Sequence, residues 1–183
     1  MSLSLDGATG NITGLEVLTP QLPSGTIIQT VQSETDVNTL ISTRTFTDTN
    51  LSASITTTSA SSKVLVLVDQ QFQIYESNDA YQGGGIRILR GSTEIFRPLS
   101  DGASSYDFWF NAAGATAVNF YTRGHIAYLD TPGAAGTYTY KTQARPYTID
   151  TGTPANAIFR AQVNPGVPGA TNASSRITLL EIA

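Results

Sequence analysis

Cysteine is absent from the 183 residues, and histidine, methionine and tryptophan occur once each. Without cysteine there can be no disulfide, thiolate metal site or cysteine nucleophile. One histidine and no cysteine also exclude an ordinary structural zinc site. Charge is scarce, at 13% of residues, and only Lys63 and Lys141 are lysines. The net charge of −4 argues against a nucleic-acid partner, which needs a basic stripe to neutralise phosphates. No apolar run approaches the roughly 20 residues that cross a bilayer as a helix, so no membrane span is expected. The segment Met1 to Asp6 lacks the basic start and apolar core of a signal peptide.

In place of charge the chain carries 17 serines and 26 threonines. Its 7 Phe and 8 Tyr, within a hydrophobic fraction of 40%, suffice to fill a core and weigh against wholesale disorder. A chain of this length is expected to fold as one domain and to bury roughly 70% of its unfolded surface.

Period-two alternation dominates. In Lys63 to Tyr75, Val64, Val66, Val68, Gln70, Phe72 and Ile74 point one way and Leu65, Leu67, Asp69, Gln71, Gln73 and Tyr75 the other. Its first half is apolar on both faces, which predicts a strand running from a doubly buried middle to a solvated end. Ile86 to Arg90 alternates next, and Gly91-Ser92 supplies a two-residue hairpin turn into Thr93 to Arg97. Further strands are predicted at 26–32, 51–57, 117–122, 125–129, 138–144, 157–162 and 176–182. Turn clusters fall at 59–62, 78–85, 100–105, 132–136 and 164–172. Such spacing predicts an all-β sandwich or jelly roll. Ser33 to Arg44 alone suggests one or two helical turns, with Ser33 as cap and Val37, Leu40 and Ile41 at helical spacing. The last strand, apolar along its length, is expected to be central and paired on both sides.

Residues 1–25 read differently from 26–183. Leu3, Leu5, Ile12, Leu15, Val17 and Leu18 are interspersed with Gly and Pro, and no aromatic appears before Phe46. Too broken to pack on itself, this segment reads as an extended N-terminal arm that contacts another chain, or as a frayed terminus.

Catalytic patterns are missing. His125 stands alone at the start of an alternating stretch, and no Gly-x-Ser-x-Gly elbow accompanies it. Glu76 to Asp79 lacks calcium-loop spacing. Gly83-Gly84-Gly85 does not open a helix, so it reads as a loop and not a phosphate cradle. No catalytic, cofactor-binding or metal-ligating residue is assigned, and a non-enzyme is expected. The cluster Tyr106-Asp107-Phe108-Trp109-Phe110 has two readings: alternate residues packed in the core, or aromatics that stack on a sugar or anchor an interface. Tyr81, Tyr106, Asp107 and Trp109 are the candidate residues of exposed recognition loops.

Several stretches resemble small structural proteins of tailed bacteriophages, particularly those of cyanobacteria and marine bacteria. They are Ser2 to Ile12, Leu22 to Gln32, Thr49 to Thr56 with Ser61 to Val68, and Ile177 to Ala183. The resemblance implies an antiparallel jelly-roll sandwich like the tumour-necrosis-factor and complement heads, assembled as a homotrimer. It also implies a place on the virion surface after synthesis in the host cytoplasm. Some such proteins are capsid cement or decoration proteins on the major capsid protein; others tip tail or head fibres and bind host-surface carbohydrate. A fibre joins a long stalk to its tip, whereas about 25 residues precede this domain, which favours cement on the capsid exterior with Leu3, Leu5, Ile12, Leu15, Val17 and Leu18 as its capsid-contact arm.

Overall fold

The computed structural model describes residues 4–5, 12–13, 22–41, 43, 45–76, 81–98, 108–111, 118–147, 157–162 and 173–183. Every element among them is a strand, and all pairings are antiparallel. Strands β1 (Ser4–Leu5) and β2 (Ile12–Thr13) pair only with each other, Leu5 opposite Ile12.

The first sheet contains β3 (Ile27–Thr35), β4 (Thr39–Ile41), β6 (Lys63–Glu76), β10 (Val118–Asp130), β12 (Ala157–Ala161) and β13 (Ser175–Ile182). Strand β6 organises it. One edge of β6 pairs with β10 along Val64 to Glu76. The other pairs with β13 over Lys63 to Asp69 and with β12 over Phe72 to Glu76, so these two lie end to end. Strands β3 and β4 extend the same two rows outward. The expected central position of the last strand is found: β13 lies between β3 and β6.

The second sheet has the order β5 (Thr47–Thr57), β11 (Gly136–Tyr147), β7 (Tyr81–Arg90). Strands β8 (Thr93–Phe96) and β9 (Phe108–Asn111) share the outer edge of β7. Gly91, at φ 62°, opens the two-residue turn between β7 and β8, where a side chain would be strained. The two sheets share one core. Val64, Val66, Val68, Phe72, Ile74, Ile177 and Leu179 come from the first, and Leu51, Ile55, Ile86, Ile88 and Tyr140 from the second.

Buried polar groups join the layers. Asp130 Oδ2 on β10 accepts from Tyr140 Oη on β11 at 2.8 Å and from Arg90 Nη1 on β7 at 2.7 Å. The Gln162 amide fills the break between β12 and β13. It accepts from Ser175 Oγ and Gln70 Nε2, both at 3.0 Å, and donates to the Thr49 and Val37 carbonyls. Ser175 Oγ also accepts from the Gln71 backbone at 3.0 Å. Each partner left alone in this interior would bear a desolvation cost, so the network fixes how the layers meet.

Three expectations need correction. The helix expected at Ser33 to Arg44 is not found among its described residues: Ser33 to Thr35 end β3, and in β4 Leu40 and Ile41 pair with Arg160 and Phe159, a distant pairing that overrides local spacing. The loop at Asn78 to Gly85 is β-structure from Tyr81 onward, with Gly83, Gly84 and Gly85 buried inside β7. The stretches 117–122 and 125–129 form one strand, because Gly124 continues the ladder opposite Gln70. A Cβ at Gly124 would lie 3.5 Å from the Phe72 ring, so glycine is not required there for space.

Candidate functional site

The outer faces of the two sheets differ in kind. On the second, Ser52, Ser54, Thr56, Thr137 and Thr139 are exposed. Their hydroxyls pair across strands, Ser54 with Thr139 and Thr56 with Thr137, each at 2.8 Å. Toward one end of this face the Arg87, Arg97 and Arg145 guanidiniums stack on the Phe46 ring at 4.4, 4.9 and 4.7 Å. That face is built for water.

The first sheet is not. Among the described residues the exposed large hydrophobics are Ile27, Val37, Leu40, Leu67, Phe120 and Leu129; each belongs to this sheet or to the β3–β4 link, though Phe120, opposite the buried Ile74, is on the inner face. Directly paired residues share a face, so the registers order the outward side chains into rows. Leu129, Leu65, Leu180 and Thr30 form one row; Ala127, Leu67, Thr178 and Gln32 form the next. Leu67 is 38% exposed and Leu129 47%. The doubly buried middle expected for β6 is thus buried on one side only. Its other apolar face is open in the isolated chain.

The third row is charged: His125, Asp69, Arg176 and Glu34. Arg123 Nε and Nη2 donate to the two Asp69 oxygens at 2.7 and 2.9 Å, and Arg176 pairs with Glu34. The Arg123 hydrogen bonds hold the Asp69 carboxyl below its ordinary value against the opposing effect of burial, helped by the charge of Arg123. His125 Nδ1 lies 3.5 Å from Asp69 Oδ1, and its side chain is 69% exposed. A shallow depression of about 380 Å³ crosses the second and third rows between Leu67, His125 and Arg176.

The sandwich also has two distinct ends. Pro23 to Thr26, the turns 58–62, 91–92 and 131–135, and Ala183 gather at one. There Gly25 N donates to the Ala183 carbonyl at 3.0 Å and Ala183 N to the Thr26 carbonyl at 2.9 Å, fixing where the arm segment leaves the domain. Glu76, Tyr81, Asn111, Val118, Tyr147 and Ala157 mark the opposite end. Tyr81 and Trp109 are on paired strands there, with Tyr81 opposite Asn111 and Gly83 opposite Trp109. Tyr106 and Asp107 lie outside the described residues, as do Leu3, Leu15, Val17 and Leu18 of the arm; Leu5 and Ile12 are on β1 and β2.

No group of three or more acidic or histidine side chains suited to a metal occurs among the described residues. No helix among them is long and apolar enough to cross a membrane. The apolar outer face is the feature that alternation alone did not identify as a site. Its signal was the run Leu65, Leu67 beside Leu180 and Leu129. The chain matches no protein-family model and no curated protein sequence.

Proposed function

We propose that this chain is a non-enzymatic structural protein of a bacteriophage virion. It acts as a trimeric capsid cement or decoration protein on the exterior of the major capsid protein shell. The observation that carries the reading is the apolar outer face of the first sheet, opposed to a hydroxyl-covered second sheet. An apolar face of this extent on one side of a sandwich fits burial against another copy. Strand order supports the jelly-roll form. With β3/β4, β8/β9 and β12/β13 each counted as one broken strand, eight strands result. The sheets then run first–eighth–third–sixth and second–seventh–fourth–fifth, the order of the tumour-necrosis-factor-like jelly roll.

The ends support an orientation. The arm leaves from the end that carries the short turns, and that end would face the shell, with the arm between capsid subunits. Contact with several subunits at once adds interface free energy to the closed shell and resists internal pressure. Cryo-electron microscopy of intact particles tests this. The expected result is threefold density on the capsid surface with residues 22–26 toward the shell; absence from every particle would overturn it.

A second reading, a fibre-tip module that binds host-surface glycan, is favoured by one observation. Tyr81 and Trp109 lie at the end away from the arm, where a receptor module presents its ligand site. Labelling at the tail together with glycan-array binding lost on Trp109→Ala would select this reading over cement.

A further inference from the structure

We infer that the ladder between β3 and β13 is a shear clamp that carries load from the arm into the body of the sandwich. The inference rests on the reading that the arm is held by the shell, so that outward pressure pulls residues 22–26 away from the domain. Load entering there meets two elements in series. The first is a short lead. Thr26 N donates to the Pro23 carbonyl at 3.1 Å, closing a turn in which Gly25 takes φ 90°. Straightening this turn breaks that bond and releases Gly25 N from the Ala183 carbonyl.

The second element is the ladder itself. Ile27 lies opposite Ile182 at the arm end, and Thr35 opposite Ser175 at the other. Hydrogen bonds of an antiparallel pair run perpendicular to the strands. A pull along β3 therefore loads all of them at once, and none opens before its neighbours. Strand β13 is paired in turn with β6 over Lys63 to Asp69, so the load spreads into the centre of the sheet. Side chains tie the ladder near both ends. Gln29 Nε2 donates to the Thr56 carbonyl on β5 at 2.6 Å and to Glu181 on β13 at 2.5 Å, and Arg176 Nε donates to Glu34 at 2.7 Å. A pull that parts the arm from Ala183 sideways meets the same bonds one at a time, starting at Ile27. The fold thus resists force along β3 and yields to force across it.

The test is an optical-trap measurement on the full chain. It has no cysteine, so handles attach only where cysteines are introduced. Ser24→Cys with Ser174→Cys, both at exposed positions, pulls β3 and β13 from opposite ends of their ladder. Ser24→Cys with Ala183→Cys pulls the two strands apart from one end. Both proteins should melt like wild type before handles are attached. At equal force the first is expected to survive at least about tenfold longer, the effect of about one or two further hydrogen bonds broken in the rate-limiting step. Arg176→Gln should shorten the lifetime of the first and leave the second unchanged, because unzipping begins at Ile27 and reaches Arg176 last. Equal lifetimes in the two geometries, or a longer one for the Ser24/Ala183 pair, overturn the clamp and leave the cement reading standing. Force anisotropy with no arm density between capsid subunits keeps the clamp and removes the reading it rests on.

Discussion

Tyr140 donates its phenolic hydrogen to Asp130 at 2.8 Å and thereby joins an inner strand of one sheet to the edge strand of the other. The Arg90 guanidinium completes the group at 2.7 Å from the same carboxylate oxygen. Burial is the main cause that raises the Tyr140 hydroxyl far above its ordinary value, and the Asp130 hydrogen bond adds to it. A phenol whose folded value is raised stabilises the fold below the unfolded value of about 10, and that contribution fades as pH rises beyond it. Wild-type thermal midpoints should fall above pH 10, and Tyr140→Phe should flatten the decline at a neutral-pH cost of about 1 kcal/mol. Asp130→Asn should cost more, because Arg90 then lacks its anion. Melting curves from pH 7 to 11 check both; a steeper alkaline decline in Tyr140→Phe would contradict them.

Glu181 closes a second corner at the same end of the sandwich. Its carboxylate accepts from Thr58 N at 2.6 Å, Thr58 Oγ1 at 2.8 Å and Gln29 Nε2 at 2.5 Å. Burial alone would raise this carboxyl; the bonds from Gln29 and Thr58 oppose it, and the group is held below its ordinary value. A depressed carboxyl contributes stability that is present above the unfolded value of 4.5 and lost as pH falls through the folded value. Glu181→Gln should lower stability by about 2 kcal/mol at neutral pH, the scale of hydrogen bonds to a charge. The difference from wild type should shrink below pH 4.5. Urea titrations at pH 7 and pH 3.5 measure it, and an undiminished difference at the lower pH would refute the assignment.

Much of this fold is legible in local alternation, because each strand of a two-layer sandwich must send every second residue into one core. Val64 to Ile74 and Ile177 to Leu179 show it directly, as does the Gly91-Ser92 turn. What is not legible depends on distant partners. Leu40 and Ile41 sit at helical spacing in sequence and take strand form because Arg160 and Phe159 lie beside them. Gly83 to Gly85 read as a loop by composition, and become strand between Trp109 and Tyr147. The candidate assembly face was half visible. Leu65 and Leu67 announce an apolar second face on β6, but only the registers with β10 and β13 bring Leu129 and Leu180 into the same row.

The place of β13 between β3 and β6 makes the last residues essential to folding. Leu179 is fully buried, and Leu180 to Ile182 supply pairings to both neighbours. Deletion of Leu179 to Ala183 removes core volume, the Glu181 corner and two stretches of ladder together. It should yield no soluble folded protein; a truncated chain with a cooperative thermal transition would refute this. Phe72→Ala, a smaller change at a fully buried ring, should leave the fold intact but cost about 3–5 kcal/mol in chemical denaturation.

Under the proposed assembly the outer apolar face separates stability from association. Leu67 and Leu129 are 38% and 47% exposed in the single chain, so each contributes less to its folding than a core leucine. The double substitution Leu67→Gln with Leu129→Gln should shift the free energy of the isolated chain by no more than about 1 kcal/mol. It should nevertheless abolish association at micromolar concentration, because it places two amides where a partner would offer apolar surface. As a control, Ser54→Gln with Thr139→Gln on the hydroxyl-covered sheet should leave association unchanged. Sedimentation velocity on the three proteins decides the matter. Wild-type-like association of the Leu67/Leu129 variant would mean that copies meet elsewhere, and loss of association in the Ser54/Thr139 control would move the interface to the second sheet.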